Sequence, residues 1–180
     1  MRRIVALSLA GALACAPSAS ISSGRDRYPV RVVGPAGSTS MMVRSDDNTT
    51  SGVIAVAPED AWRALPAVFD SLGIPLTRVD PSNRIIANDG FRVRQRLRDV
   101  PLSRYFDCGS TQVGPNADSY QVLLVIVARL RPAAAGMTTL DLSIDAHARS
   151  LAFSQAYASC TPLGTLDARF RELLRAHFAR

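Results

Sequence analysis

The stretch that most restricts the fold of this chain runs from Tyr120 to Arg149. Two long apolar-rich segments, Tyr120–Arg131 and Met137–Arg149, are separated only by Pro132-Ala133-Ala134-Ala135-Gly136. In the second, Leu140, Leu142, Ile144, Ala146 and Ala148 alternate with Thr139, Asp141, Ser143, Asp145, His147 and Arg149. That period of two predicts a strand with one buried face and one wet face. Two strands joined by so short a connection run antiparallel, and a sheet with one apolar face needs a second layer to cover it.

Helical patterns at both ends of the remaining chain supply that layer. Val53-Ile54-Ala55-Val56 reads as a short strand, and Ala57-Pro58-Glu59-Asp60 then opens a helix with a proline and two acids. Trp62, Leu65, Phe69 and Leu72 form its apolar stripe, Pro66 kinks it or leaves one carbonyl unpaired, and Gly73 stops it. A meander follows: strand Ile74–Val79, turn Asp80-Pro81-Ser82-Asn83, strand Arg84–Ala87, hairpin turn Asn88-Asp89-Gly90, strand Phe91–Leu97. After a loop carrying SRYFDCGS (Ser103–Ser110) come the two long strands. Thr165 caps a final helix to Phe178 with Leu166, Phe170, Leu173, Leu174, His177 and Phe178 on one side. The expected fold is α+β: an antiparallel sheet of about five to six strands with two helices on one face, in the order β-α-β-β-β-β-β-α.

The N-terminus reads as an address. MRRIVALSLAGALAC combines Arg2 and Arg3, an apolar run from Ile4 to Ala14, and small residues before Cys15, the layout of an export signal. That run is too short to span a bilayer, which takes about twenty residues. Ala12-Leu13-Ala14-Cys15 is similar to the lipobox of bacterial lipoproteins, which implies cleavage after residue 14 and acylation of Cys15. Residues 15–50 are rich in Ser, Thr, Gly, Pro and Asp and read as a flexible tether or arm, with Val30–Val33 and Met41–Val43 as weak strands or a docking piece. Residues 51–180 form the single domain.

Ala57–Asn88 (APEDAWRALPAVFDSLGIPLTRVDPSNRIIAN) resembles the opening of the helix-grip domains of the BamC (NlpB) outer-membrane assembly lipoproteins. The shared features are an acid-flanked Ala-Trp at the helix start, the apolar stripe, and a strand pair turning at Asp80–Asn83. The resemblance covers Val53–Leu97, and the rest by element order; the duplicated domain of that family is missing, and the Cys108 and Cys160 pair is not part of its pattern. It implies a helix-grip-like, lipid-tethered binding module without enzymatic activity.

Composition removes several chemistries. All 21 basic residues are Arg, so no lysine Schiff base, P-loop lysine or lysine general base exists. The net charge of +6 raises nucleic acid as a partner, but the total replacement of Lys by Arg reads as codon bias, and nucleic acid is not expected. Two histidines exclude HExxH and zinc-finger spacings. Asp46-Asp47-Asn48 lacks the spaced ligands of a calcium loop. No metal, cofactor or catalytic residue is expected.

Three constellations are worth locating. Arg92, Arg94 and Arg96 alternate with Phe91, Val93, Gln95 and Leu97, lining one face of a strand as a candidate anion- or partner-binding ladder; the plainer reading pairs them with Asp141 and Asp145 across strands. Ser143, Asp145 and His147 share a face in an order unsuited to a hydrolase triad. With Cys15 assigned to the anchor, Cys108 and Cys160 remain in an oxidising compartment and are expected to form one disulfide.

Together these readings describe an exported bacterial lipoprotein of the cell envelope, lipid-anchored in the outer membrane and facing the periplasm, or, without the lipid, soluble in the periplasm or secreted. It binds or scaffolds an envelope protein or an anionic polymer. The alternative is a carrier of a small apolar ligand or lipid, with a cavity between sheet and helices near Trp62 and Phe69.

Overall fold

The computed structural model describes residues 48–152 and 156–179 and, by their backbone, 27–34 and 37–44. The expected export signal 1–14, Cys15, Asp46 and Asp47 lie outside the described residues. Strands β1 (Arg27–Gly34) and β2 (Gly37–Arg44) form an antiparallel pair, so Val30–Val33 and Met41–Val43 do fall in strands. Then follow β3 (Thr49–Ile54), α1 (Pro58–Leu72), β4 (Arg78–Asp80), β5 (Ile85–Arg94), β6 (Arg96–Leu97), β7 (Val100–Pro101), β8 (Phe106–Asp107), β9 (Ser110–Thr111) and β10 (Gly114–Pro115). The chain continues through α2 (Asn116–Ser119), β11 (Gln121–Pro132), β12 (Thr138–Arg149), β13 (Ala158–Pro162) and α3 (Thr165–Phe178).

The architecture is α+β. A seven-stranded sheet runs β4-β5-β11-β12-β13-β8, with β3 also pairing β12. Every pairing in it is antiparallel. The long hairpin β11–β12 is its spine, in register from Gln121 opposite Arg149 to Pro132 opposite Thr138. β3 and β13 share the far side of β12, β3 on Thr138–Ser143 and β13 on Ala146–Ala148.

One face of the sheet carries Val122, Leu124, Ile126, Leu140, Leu142 and Ile144, and these join Leu65, Phe69, Phe170 and Leu174 of α1 and α3 in one core. The two helices meet edge to face through Phe69 and Phe170, ring centroids 5.4 Å apart. α1 ends as its sequence predicts. Gly73 is left-handed (φ 71), its N–H donates to the Asp70 carbonyl and that of Ile74 to the Phe69 carbonyl, the paired bonds of a Schellman stop. Pro66 leaves α1 unbroken from Pro58 to Leu72 and stands exposed. The buried stripe is Ala61, Ala64, Leu65, Val68, Phe69 and Leu72, while Trp62 only half buries itself at the margin.

Six expectations need correction. Asn88-Asp89-Gly90 is not a hairpin turn: β5 runs through it, and the register slips so that Phe91 faces Leu124 while Asn88 faces Ile126. The extra residue is taken up as a β-bulge with Gly90 at φ 142. The strand expected over Ile74–Val79 shrinks to β4, because Ile74 is buried against the end of α1. The polar face of β12 is not uniformly wet, since Ser143 is 6% and Asp145 3% exposed. Thr165 does not cap α3: Gly164 occupies that position, and the Thr165 hydroxyl donates to the Arg104 carbonyl instead. Finally, β13 lies in a stretch between Arg149 and Thr165 to which no element was assigned, and β3 begins at Thr49, ahead of the expected domain start at residue 51.

Candidate functional site

The second face of the sheet ends in a basic corner built by β5, β11 and β12. Strand register sets Arg94 beside Gln121 and Gln121 beside Arg149; the next row runs Arg92, Leu123, His147, Ser159. Arg92 and Arg94 are exposed. Two residues apart on one strand, their side chains leave the same face.

Arg149 is held by neutral partners. Its Nε and Nη2 donate to Gln121 Oε1 at 3.3 and 3.1 Å, the Tyr157 hydroxyl donates to the same oxygen at 3.0 Å, and the guanidinium lies 4.9 Å from the Tyr157 ring centroid. These contacts orient the cation without neutralising it. Ser159 Oγ lies 3.3 Å from His147 Nδ1, and burial pushes the imidazole below its ordinary 6.5, toward the neutral form.

The third member of the expected ladder stands apart. Gln95 adopts φ 63 and its carbonyl accepts from the Leu102 N–H, so the chain leaves β5 and Arg96 enters the small β6–β7 pair, where its Nη1 donates to the Asp99 carbonyl at 2.8 Å. Nor do Asp141 and Asp145 reach the arginines, because β11 separates β12 from β5. Asp141 instead accepts from Arg131 Nε and Nη2 at 2.6 and 2.8 Å and from Ser51 Oγ at 2.6 Å. Burial works to raise its carboxyl, but those hydrogen bonds and the charges of Arg131 and Arg129 outweigh burial and hold it below the ordinary 3.8. Asp145 accepts from Asn48 Nδ2 at 2.8 Å.

Among the described residues, the basic corner shares its lack of an ion-paired carboxylate with the exposed Arg96, Arg104, Arg129 and Arg175, but only in the corner do such arginines stand in adjacent rows of the sheet. Arg63, Arg78, Arg84, Arg131 and Arg169 each have a carboxylate partner. No carboxylate among the described residues pairs with Arg92, Arg94 or Arg149. Ser143, Asp145 and His147 do not assemble as a triad either, since the aspartate is engaged by Asn48 and the hydroxyl beside the imidazole belongs to Ser159.

Cys108 and Cys160 form a disulfide. It fastens β13 to the loop after β8, beside the pairing of Thr161 with Asp107 and Pro162 with Phe106. In SRYFDCGS, Tyr105 and Phe106 are buried in the core, so the aromatics flanking the thiol are packing. A cleft of about 200 Å3 opens where β3 and β13 part along β12, with Leu142 and Ile144 as its floor and Tyr105, Phe106, Pro162 and Leu166 among its walls. It lies away from Trp62 and Phe69, where a cavity was expected. His177 is exposed near the end of α3, its ring centroid 5.2 Å from that of Phe178.

Gln121, Arg149 and Tyr157 escaped sequence reasoning as members of this corner. Arg149 reads only as one polar residue of an alternating strand, and no local signal says that strand register sets it two strands from Arg94. Comparison of the sequence with protein-family models finds no match, and comparison with curated proteins finds none either.

Proposed function

We propose that this chain is an exported, lipid-anchored module of a bacterial cell envelope that binds rather than catalyses, and that its basic corner is the surface that takes an anionic envelope component. The observation that carries the reading is the pair Arg92 and Arg94, exposed on one face with no described carboxylate against either, and with the un-neutralised Arg149 in the row of Arg94. Guanidinium groups so placed suit phosphate or carboxylate oxygens, each able to offer a two-pronged hydrogen bond. An export signal and an acylated Cys15 of the kind the sequence resembles would bring such a surface to anionic lipid headgroups and envelope polymers.

Co-sedimentation with vesicles tests it, phosphatidylglycerol against phosphatidylcholine. Binding to the anionic vesicles alone is expected, falling with salt. Arg92→Ala with Arg94→Ala should weaken it about thirty-fold, at about 1 kcal/mol per arginine near a charged surface. Equal binding to neutral vesicles, or no loss in the double variant, overturns the reading. The aromatic and aliphatic lining of the cleft between β3 and β13 favours a second reading, a carrier of a small apolar ligand.

A further inference from the structure

Sheet edges expose unpaired main-chain N–H and C=O groups, and proteins guard them with charge, proline, bulges or brevity. Most edges of this sheet are guarded. β4 has three residues between Pro75 and Pro81, and β8 has two beside the disulfide. The outer edge of β5 beyond Asn88 follows the bulge and carries Arg92 and Arg94. β3 has none of these devices. Its six residues, TTSGVI, contain no charge and no proline, and its register with β12 is unbroken. Ser51 is exposed and Val53 is 57% exposed.

The register shows which groups face outward. The Ile144 N–H donates to the Asn48 carbonyl at 3.4 Å, which makes residues 48 and 144 a hydrogen-bonded pair. Alternate pairs then follow at Thr50 with Leu142, Gly52 with Leu140 and Ile54 with Thr138. Ser51 and Val53 fall between them, with their N–H and C=O groups turned away from β12. Among the described residues nothing bonds to those main-chain groups. The inner side is fixed: buried Arg171 donates to the Thr50 carbonyl at 3.1 Å and to the Leu140 carbonyl at 3.3 Å. Gly52 permits this approach, since a Cβ there would lie 2.6 Å from Arg171 Nη1.

We propose that β3 is a pairing edge on which a second copy of this chain adds its own β3, antiparallel, joining two sheets across a two-fold axis. An isologous contact places each residue against its own strand's complement. Centred on Gly52, it sets Ser51 of each copy opposite Val53 of the other, so the outward N–H and C=O groups meet and no like charges do. A foreign strand would draw specificity from pockets or charges beside the edge. The cleft beside Thr49 and Thr50 opens at one end of β3, toward β13; along the rest of the strand Thr50 and Gly52 are occupied by Arg171 and Ser51 is engaged with Asp141. The contact is independent of the basic corner and of any lipid.

Sedimentation velocity of the full chain, from about 1 μM to about 1 mM, tests it. A reversible dimer is expected, with the Ser51 and Val53 amides gaining protection from hydrogen exchange as it forms. Val53→Lys, at an exposed side chain, should weaken the dimer about tenfold or more by setting a charge in the pairing edge, with the melting temperature unchanged. Ser51→Pro, which removes an outward donor and no main-chain bond to β12, though it does remove the hydroxyl bond to Asp141, should do the same. A monomer throughout the range, a dimer that both variants leave intact, or a foreign polypeptide seated on β3 in place of the second copy overturns the proposal.

Discussion

β3 and β5 are two edges of the same sheet with opposite chemistry. β5 is defended by its side chains: a bulge at Asp89-Gly90 spoils its ladder, and Arg92 and Arg94 leave charge along what remains. β3 has no charge of its own and is braced from beneath by Arg171, which is buried and pairs with Asp167 at 3.0 Å. The contrast separates two kinds of contact. Uncompensated guanidinium groups invite an anion and repel a second strand, whereas a straight, neutral, braced edge invites a second strand and gives an anion nothing to hold.

The comparison is most severely broken by releasing β13, which shares with β3 the same side of β12. Its ladder to β12 is three residue pairs long, and Cys160 sits in it. The Cys108–Cys160 bond spans 52 residues. Cys108→Ser with Cys160→Ser should therefore cost about 4 kcal/mol by the loop-entropy estimate, read as a drop in the urea midpoint, and leave the C-terminal half of β12 as a second bare edge. A loss under about 1 kcal/mol would mean that β8 and the core contacts of Tyr105 and Phe106 hold β13 without the bond.

Arg171→Met attacks the brace of β3 and should cost about 3 kcal/mol, since it leaves Asp167 half buried without its cation and strips a donor from the carbonyls of Thr50 and Leu140. Methionine keeps much of the stem volume, so the loss reports the charge and its hydrogen bonds. The urea midpoint measures it. A change within about 0.5 kcal/mol would show that the β3–β12 ladder alone straightens the edge.

What could be read from the sequence divides along the same line between local and distant causes. The two ends of α1 were legible because Pro58, Glu59, Asp60 and Gly73 act within one turn of where they stand. β12 was legible because alternation over a dozen residues has one interpretation, and β11 because its long apolar run is joined to β12 by a short connection. Asn88-Asp89-Gly90 was not, since a glycine at positive φ serves a turn or a bulge equally well; what decides is that β11 pairs residues on both sides of it. The wet face expected for β12 failed at Asp145 because Asn48, 97 positions away in sequence, donates to its carboxylate. β13 was missed because ASCTP has no apolar period and gains its place through Cys160 and β12. In the basic corner Arg92 and Arg94 were legible as a pair, while the loss of Arg96 to the left-handed Gln95 and the arrival of Arg149 were set by geometry that composition does not encode.

The smallest effect on stability, and the sharpest on the comparison, belongs to Arg92→Val with Arg94→Val. Both arginines are exposed and neither has an ion pair among the described residues to lose, and valine favours strands, so the midpoint should move by less than about 0.5 kcal/mol. Association should change instead. In a chain whose β3 edge is already closed by Val53→Lys, the double valine variant should associate reversibly in sedimentation velocity, whereas Arg92→Lys with Arg94→Lys should stay monomeric because the edge keeps its charge. The lysine pair also separates the two roles of these residues: it should guard the edge as well as arginine does, yet hold anionic vesicles more weakly for want of the planar two-pronged donor. If the valine variant stays monomeric, the bulge and the β1 strand lying against β5 are sufficient guards, and the arginines are then left with ligand binding as their reason for being there.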